Sequence, residues 1–422
     1  MLAAGEWRKL NHIRICGLMG MATNTDNDEQ IKTEFCSLSS FFNEVKAKWF
    51  ADAESFRELS MGMSHDYHEA IAAGSTLIRV GSKIFWRKKL LTIKNHYHGN
   101  IRTTFAGLKL KNPIIVSSSG LTDSTAKNQK LSEAGAGAIV LKSLFEEQIM
   151  MEADWMGDPN MYPEGSDYLV GYIREHKLGE YLNLIKESKK VCNIPIIASI
   201  NCYQNADWVE FATKIEEAGA DALEINILAL QTDVQYTYGT FEQRHIDILS
   251  HIKKTVKIPV IMKLGDNLTN PIALIDQLYA NGAAAVVLFN RFYQPDINIE
   301  KMIQVSGNVF SNEADLSKAL RWIGIASAAV NKLDYAASGG IHSPEGVVKA
   351  ILAGASAVEI CSVLYQNSAT IIEEYIRFLN LWMDRKGMET ISQFKGILNV
   401  NDPKGVNTFE RTQFLKYFSS HE

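Results

Sequence analysis

An α/β protein built on a (β/α)8 TIM barrel is the fold class that this sequence predicts, and three observations carry the prediction. From Asn112 onward, eight short runs rich in β-branched residues alternate with stretches of helical period. The runs are apolar almost throughout, as expected of parallel strands covered on both faces. Four of the intervening stretches end in the same device, a glycine between small residues. Eight such units in about 270 residues fit a closed barrel better than an open sheet. A doubly wound sheet is the alternative, and the lack of a G-x-G-x-x-G opening the first helix counts against it.

The runs are Ile114–Ser118, Ala138–Lys142, Pro195–Ile200, Ala222–Ile227, Val260–Leu264, Ala284–Phe289, Asp334–Ser338 and Ala357–Cys361. Between them, Asp207–Ala218 places Trp208, Phe211, Ile215 and Ala218 on one helical face, and Ala273–Ala280 and Pro344–Ala353 behave likewise. Ala134-Gly135-Ala136, Ala218-Gly219-Ala220, Asn281-Gly282-Ala283 and Ala353-Gly354-Ala355 each precede a strand. Glycine there takes the left-handed conformation that stops a helix, and small neighbours let the chain turn into the sheet.

Composition narrows the function classes. One barrel takes about 250 residues, so a chain of 422 has room for a second unit. With 46% apolar and 22% charged residues, it is not a disordered chain. No stretch approaches the roughly 18 apolar residues of a membrane-spanning helix, and the N-terminus MLAAGEWRKLNHIRICG is too polar for a secretory signal. A net charge of -5 gives no electrostatic case for nucleic acid. The five cysteines form no C-x-x-C pair, which argues against a zinc ribbon, an iron–sulfur cluster and a disulfide framework, and for a reducing cytoplasm. Residues 1–100 carry 13 Lys and Arg against 11 Asp and Glu, whereas the remainder carries 30 against 37, so the two parts differ in kind. The basic tract over 87–100 reads as a solvated linker between them.

Function in such a barrel lies at the C-terminal strand ends. The rim carries Ser117, Ser118 and Ser119 after the first strand and Lys142-Ser143 after the second. Asn226, Lys263 and Asn290-Arg291 follow at the fourth, fifth and sixth. The strongest signal is Ser338-Gly339-Gly340-Ile341 leading from the seventh strand into a helix, with Cys361-Ser362 after the eighth. Glycines there let backbone N–H groups approach an anion, and these two loops are the usual phosphate site of the fold. The alternative is a tight turn with no ligand. Lys142 and Lys263 each sit in an apolar run, and a buried ammonium needs an anionic or electron-rich partner; a strand that ends early would instead leave a surface lysine. Asn226 and Asn290 suit a heterocycle or, equally, a strand-end cap. Cys361 also reads as a small buried residue.

With these residues the chain resembles the FMN-dependent dihydroorotate dehydrogenases and the related barrel of dihydropyrimidine dehydrogenase. The likeness spans about Ile101 to Gly396 through Phe105-Ala106-Gly107-Leu108, Leu141-Lys142-Ser143, Glu224-Ile225-Asn226, Met262-Lys263-Leu264, Ser338-Gly339-Gly340-Ile341 and Cys361-Ser362, in that order. It implies FMN across the barrel mouth, with its phosphate on Gly339, Gly340, Cys361 and Ser362. Ser118, Ser119, Lys142, Ser143, Asn226, Lys263 and Asn290 would lie about the ring and the substrate, and Lys142, Lys263 and Asn226 would serve the chemistry. It further implies oxidation at the CH–CH group of a small, pyrimidine-like substrate, a soluble electron acceptor and, as in many members, a homodimer. One departure bears on activity. Where the family reads N-x-S-C-P-N or N-x-S-S-P-N, with a Cys or Ser base, this chain reads Asn226-Ile227-Leu228-Ala229-Leu230-Gln231. Ala229 accepts no proton. Cys202, Tyr203, Asp233 and Tyr236 are the substitutes within reach in sequence. The family's N-S-M-G-L-P-N loop is also replaced, by Gly165-Ser166-Asp167-Tyr168-Leu169-Val170.

Residues of about 5–85 resemble something else, the C-terminal third of the pyridoxal-phosphate homeostasis proteins. Leu59-Ser60-Met61-Gly62-Met63-Ser64, Ala72-Ala73-Gly74-Ser75-Thr76 and Arg79-Val80-Gly81-Ser82 carry that likeness, which implies a vestigial phosphate site at Ser64, Arg79, Gly81 and Ser82. The Schiff-base lysine of that family belongs upstream of anything present, so no aldimine is expected. The expected organisation is therefore an incomplete α/β fragment over 1–86, as if the tail of one reading frame had been joined to another. The linker over 87–100, the barrel over 101–400 and a tail over 401–422 follow. An FMN oxidoreductase is the leading expectation; a non-catalytic flavin- or phosphate-binding protein and a pyridoxal-phosphate carrier are the others.

Overall fold

The computed structural model describes residues 12–23, 25, 27–63, 66–79, 99–145, 163–201, 208–292 and 294–400. Most of the expected linker and all of the expected tail lie outside these, as do Ser64, Gly81, Ser82, Cys202 and Tyr203. The chain divides into two compact units, Met1–His96 and Tyr97–Glu422. Among the described residues no helix is long and apolar enough to cross a membrane.

In the first unit, β1 (Gly17–Met19) pairs in parallel with β2 (Glu58–Ser60). Helix α1 (Asp28–Trp49) connects them, and a short α2 (Tyr67–Ala72) follows. Asn27 caps α1 by accepting from the N–H groups of Glu29 and Gln30. Ile31, Phe35, Phe42 and Val45, spaced for one helical face, bury against Phe50, Phe56 and Leu59. Arg79 donates through Nη2 to the carbonyl of Gly20 at 2.8 Å. Its guanidinium is thus tied to this unit's own backbone.

The second unit opens with an antiparallel hairpin, β3 (Thr103–Phe105) and β4 (Leu108–Leu110). The hairpin bonds to the N-terminal strand ends: Ala106 N–H donates to Asp334, and the Thr103 hydroxyl donates to the Ser356 carbonyl, both at 3.0 Å. Eight parallel strands then close a barrel. They are β5 (Ile114–Val116), β6 (Ala138–Val140), β8 (Ile196–Asn201), β9 (Ala222–Ile227), β10 (Val260–Leu264), β11 (Ala285–Leu288), β14 (Asp334–Ser338) and β15 (Ala357–Ile360). β15 pairs back onto β5, and β6 pairs with β8. β7 (Leu144–Phe145) is a short addition on β8. The interior is filled by small and branched residues, among them Ala138, Ile197, Ala222, Ile261, Ala285, Ala336 and Ala357, with Phe105 and Leu110 of the hairpin. Burying a branched aliphatic side chain contributes about 1.5–3 kcal/mol.

The helices α3 (Thr125–Glu133), α4 (Pro163–Val191), α5 (Trp208–Glu217), α6 (Thr240–Lys253), α7 (Pro271–Ala280), α8 (Leu316–Ala329) and α9 (Pro344–Ala353) lie between strands. The short α10 (Ser362–Asn367) and α11 (Ile371–Lys386) follow the last strand. The four glycine endings all take positive φ. Helix α7 begins two residues earlier than its apolar spacing indicates, because Asn270 caps it and Pro271 fills its first turn. The substituted stretch 165–170 falls within helix α4. A second antiparallel hairpin, β12 (Pro295–Asn298) with β13 (Ile303–Ser306), interrupts the repeat after β11.

Candidate active site

The C-terminal ends of β5, β10, β11, β14 and β15 open into one cavity of about 250 Å³. The end of β13 and the chain after it, through Ser306, Asn308, Val309 and Ser311, supply a further wall. Of the residues expected at the site, Ser118, Lys263, Asn290, Gly339, Gly340, Cys361 and Ser362 line this cavity, whereas Ser119, Lys142, Ser143 and Asn226 do not.

At one end lie the two loops singled out as an anion cradle. Gly339 and Gly340 have φ of +90° and +76°, a region that side chains other than glycine's rarely enter. A Cβ on Gly340 would sit 2.1 Å from the amide nitrogen of Leu316, so this glycine packs backbone against the start of α8. A Cβ on Gly339 would meet nothing within 4 Å; it would stand in open space where this residue lines the cavity. The amide N–H groups of Gly339, Gly340, Cys361 and Ser362 donate to no described residue. The Ser362 hydroxyl accepts from the N–H of Ser311 at 3.0 Å, and the Ser311 hydroxyl lies 2.9 Å from His342 Nε2. Burial pushes the Cys361 thiol above its ordinary range, against a hydrogen bond with Ser119, so it is no ready nucleophile.

In the middle stands Lys263, whose strand β10 places it inside the barrel. Its Nζ donates to Glu359 Oε2 at 2.6 Å and to the Ser117 hydroxyl at 2.9 Å, and lies 3.7 Å from Glu224 Oε1. Burial opposes its charge, but the attraction of Glu224 and Glu359 outweighs burial and holds it above the usual lysine range. Glu359 is disfavoured by burial yet is held below its ordinary value by the charge of Lys263, by the neighbouring Glu224 carboxyl and by hydrogen bonds from Lys263 and Ser117. Glu224 is raised well above, first by burial and then by the charge of Glu359. The expectation that Lys263 needs an anionic partner is met by these two carboxyls of the chain itself. A line of hydroxyls reaches the same cluster: Ser118 to Ser143 at 3.0 Å, Ser143 to Ser199 at 2.8 Å, and Ser199 to Glu224 at 3.4 Å.

Asn290 donates through Nδ2 to Asn226 Oδ1 at 2.8 Å, so the two asparagines meet, although only Asn290 reaches the cavity. Lys142 requires a correction. Strand β6 ends at Val140, two residues short of it. The lysine is half-buried; its backbone N–H donates to the Thr122 carbonyl at 3.3 Å, but its side chain makes no hydrogen bond or ion pair with a described residue. Arg291 lines the cavity beside Asn290 and is paired with Asp315 at 2.5 Å. Of the substitute bases, Asp233 is exposed and accepts from the N–H of Gln235, while the half-buried Tyr236 hydroxyl accepts from the N–H of Phe241. Neither lines the cavity. Ala229 is half-buried, its carbonyl accepting from Asn267 Nδ2 at 2.9 Å.

Comparison with known proteins decides the lineage. Residues 100–383 match the family model described as dihydroorotate dehydrogenase. A relative from Thermoplasma volcanium, named dihydroorotate dehydrogenase B (NAD(+)), catalytic subunit, is 31% identical over 306 residues, covering 71% of this chain and 98% of its own. The chain belongs to the dihydroorotate dehydrogenase family. Proteins of the same name from Thermoplasma acidophilum (27% over 307 residues) and Alkaliphilus metalliredigens (26% over 308) cover 71% of the chain too, and 98% and 99% of their own lengths. As a dihydroorotate dehydrogenase relative it is an oxidoreductase, and its matched segment is the barrel whose cavity is described above. Sequence reasoning missed Glu224 and Glu359, although each is an acid inside an apolar run, the same signal that marked Lys263.

Proposed function

We propose that the barrel binds FMN with its phosphate on the amides of Gly339, Gly340, Cys361 and Ser362 and its ring toward Lys263 and Asn290. The observation that carries this reading is the set of four N–H groups, of residues lining the cavity, that donate to no described residue, together with a glycine at which a Cβ would meet nothing within 4 Å. Such donors bind a phosphate through charge-assisted hydrogen bonds. Bound there, FMN supplies hydride transfer, which no side chain provides. The chain's own residues bind, orient and compensate charge: Asn290 is fixed by Asn226, Arg291 by Asp315 and Lys263 by Glu359.

The substrate of this reading is a small, pyrimidine-like compound oxidised or reduced across a CH–CH bond, and the acceptor is a soluble nucleotide, as the NAD(+) in the relatives' names suggests. Ala229 stands where the resemblance implies a base, so dihydroorotate itself is a poor substrate unless another group takes its proton. The first unit is read as a fragment resembling the pyridoxal-phosphate homeostasis proteins and as an appendage to the barrel, with no share in this chemistry. The test is anaerobic titration of the purified full chain with dihydroorotate, dihydropyrimidines and NADH. A yellow protein bleached by one of these, with dihydroorotate slow, is the expected result. A yellow protein that none of them reduces contradicts the substrate assignment, and a chain that takes up no FMN contradicts the site.

A further inference from the structure

The Glu224–Lys263–Glu359 cluster asks for a charge count. The three residues are 0%, 4% and 2% exposed, so solvent screens none of them. One ammonium faces two carboxyls, at 2.6 Å and 3.7 Å. Were both carboxyls ionised, the site would hold an excess negative charge, met at Glu224 only by the long 3.4 Å hydrogen bond from Ser199 and the ammonium 3.7 Å away. Glu224 Oε2 and Glu359 Oε1 are buried and accept from no described residue. A single proton between the carboxyls removes both difficulties, since it gives one oxygen a hydrogen and the other a donor. Glu224 is its place, because Glu359 is nearer to Lys263 and also accepts from Ser117 at 2.9 Å. The titratable neighbours add no charge, since burial raises both the Cys361 thiol and the Tyr181 hydroxyl.

We propose that Glu224 and Glu359 are positioning residues that hold Lys263 in a charge-compensated triad with one shared proton, so that the cavity wall carries no net positive charge from this lysine. The consequence for a bound ring rests on the flavin reading above; the triad itself does not. The arrangement buffers itself. If Glu359 becomes Gln, Glu224 loses its proton and compensates Lys263 in its place. If Glu224 becomes Gln, only a neutral group is exchanged. The lysine is uncompensated only when both carboxyls are gone.

The test therefore compares Glu224→Gln, Glu359→Gln and the double variant in the full chain. Infrared spectra of the wild type at neutral pH are expected to show the carbonyl stretch of a protonated carboxyl, shifted in deuterium oxide and lost in each single variant. Absence of that band in the wild type overturns the proposal whether or not flavin binds, and needs no variant to fold. On flavin-loaded protein, each single variant is expected to keep the two-electron reduction equilibrium within about threefold of wild type. The double variant is expected to favour the reduced form at least tenfold, about 30 mV. A full tenfold shift in Glu359→Gln alone, or none in the folded double variant, overturns it. A colourless chain removes the flavin reading and leaves the infrared result to decide the triad.

Discussion

Alanine at Gly339 and at Gly340, one at a time, separates the cradle from the scaffold that carries it. Both glycines have positive φ, and a left-handed alanine costs about 1–2 kcal/mol. At Gly339 the built Cβ touches nothing within 4 Å, so this strain is the whole cost to the fold. At roughly 2–4 °C per kcal/mol for a domain of this size, the melting temperature falls by a few degrees. At Gly340 the Cβ would lie 2.1 Å from Leu316 N and 2.8 Å from its Cα, so the start of α8 must move. Overpacking adds about 1–3 kcal/mol to the strain, for a total near 3 kcal/mol or more. For a ligand the ranking reverses. A methyl on Gly339, in open space at a residue that lines the cavity, should weaken FMN at least about tenfold, or 1.4 kcal/mol. Thermal unfolding of the flavin-free chain and quenching of flavin fluorescence on binding read the two effects separately. Unchanged FMN affinity in Gly339→Ala, or equal stability of the two variants, would refute the reasoning.

Two further outcomes follow from the same geometry. Glu224 titrates near 4.5 when unfolded and well above that when folded. Across that interval the native state binds the extra proton, so stability falls as pH rises, by up to about 1.4 kcal/mol per pH unit. Glu359 acts in the opposite sense, its contribution being lost only as pH falls below 4.5. Denaturant titrations of Glu224→Gln should therefore show a shallower decline above about pH 5 than wild type; parallel curves would contradict the buried protonated carboxyl. Ala229→Cys should raise steady-state turnover of dihydroorotate by about 100-fold, the lower range for a restored general base. No gain in a folded, flavin-loaded variant would show that position 229 is not where the proton leaves.

The barrel was legible because its signal is local. Each strand is a short apolar run, and the observed strands β9, β10 and β14 match the runs Ala222–Ile227, Val260–Leu264 and Asp334–Ser338 end to end. The glycine pair at 339–340 was legible for the same reason, since a turn needing positive φ shows in one residue type. The hairpin of β12 and β13 was not, because its strands are four residues long and largely exposed, so the alternation of Ile303 and Val305 is too short to stand out. Lys142 misled because a run of β-branched residues does not mark where pairing stops. The triad was half legible: Lys263 announced a missing anion. Its partners lie on β9 and β15, and only closure of the barrel brings residues 224, 263 and 359 together. A buried charge says that it has a partner but not which.

The account stands on the amides of Gly339, Gly340, Cys361 and Ser362 clasping a phosphate. Calorimetric titration of the flavin-free full chain with FMN and with riboflavin, which share a ring and differ in that group, tests it most directly. Charge-assisted hydrogen bonds contribute about 1.5–3 kcal/mol each, so two effective ones make FMN bind at least about 100-fold tighter than riboflavin. Equal affinities, or no binding of either, would contradict it.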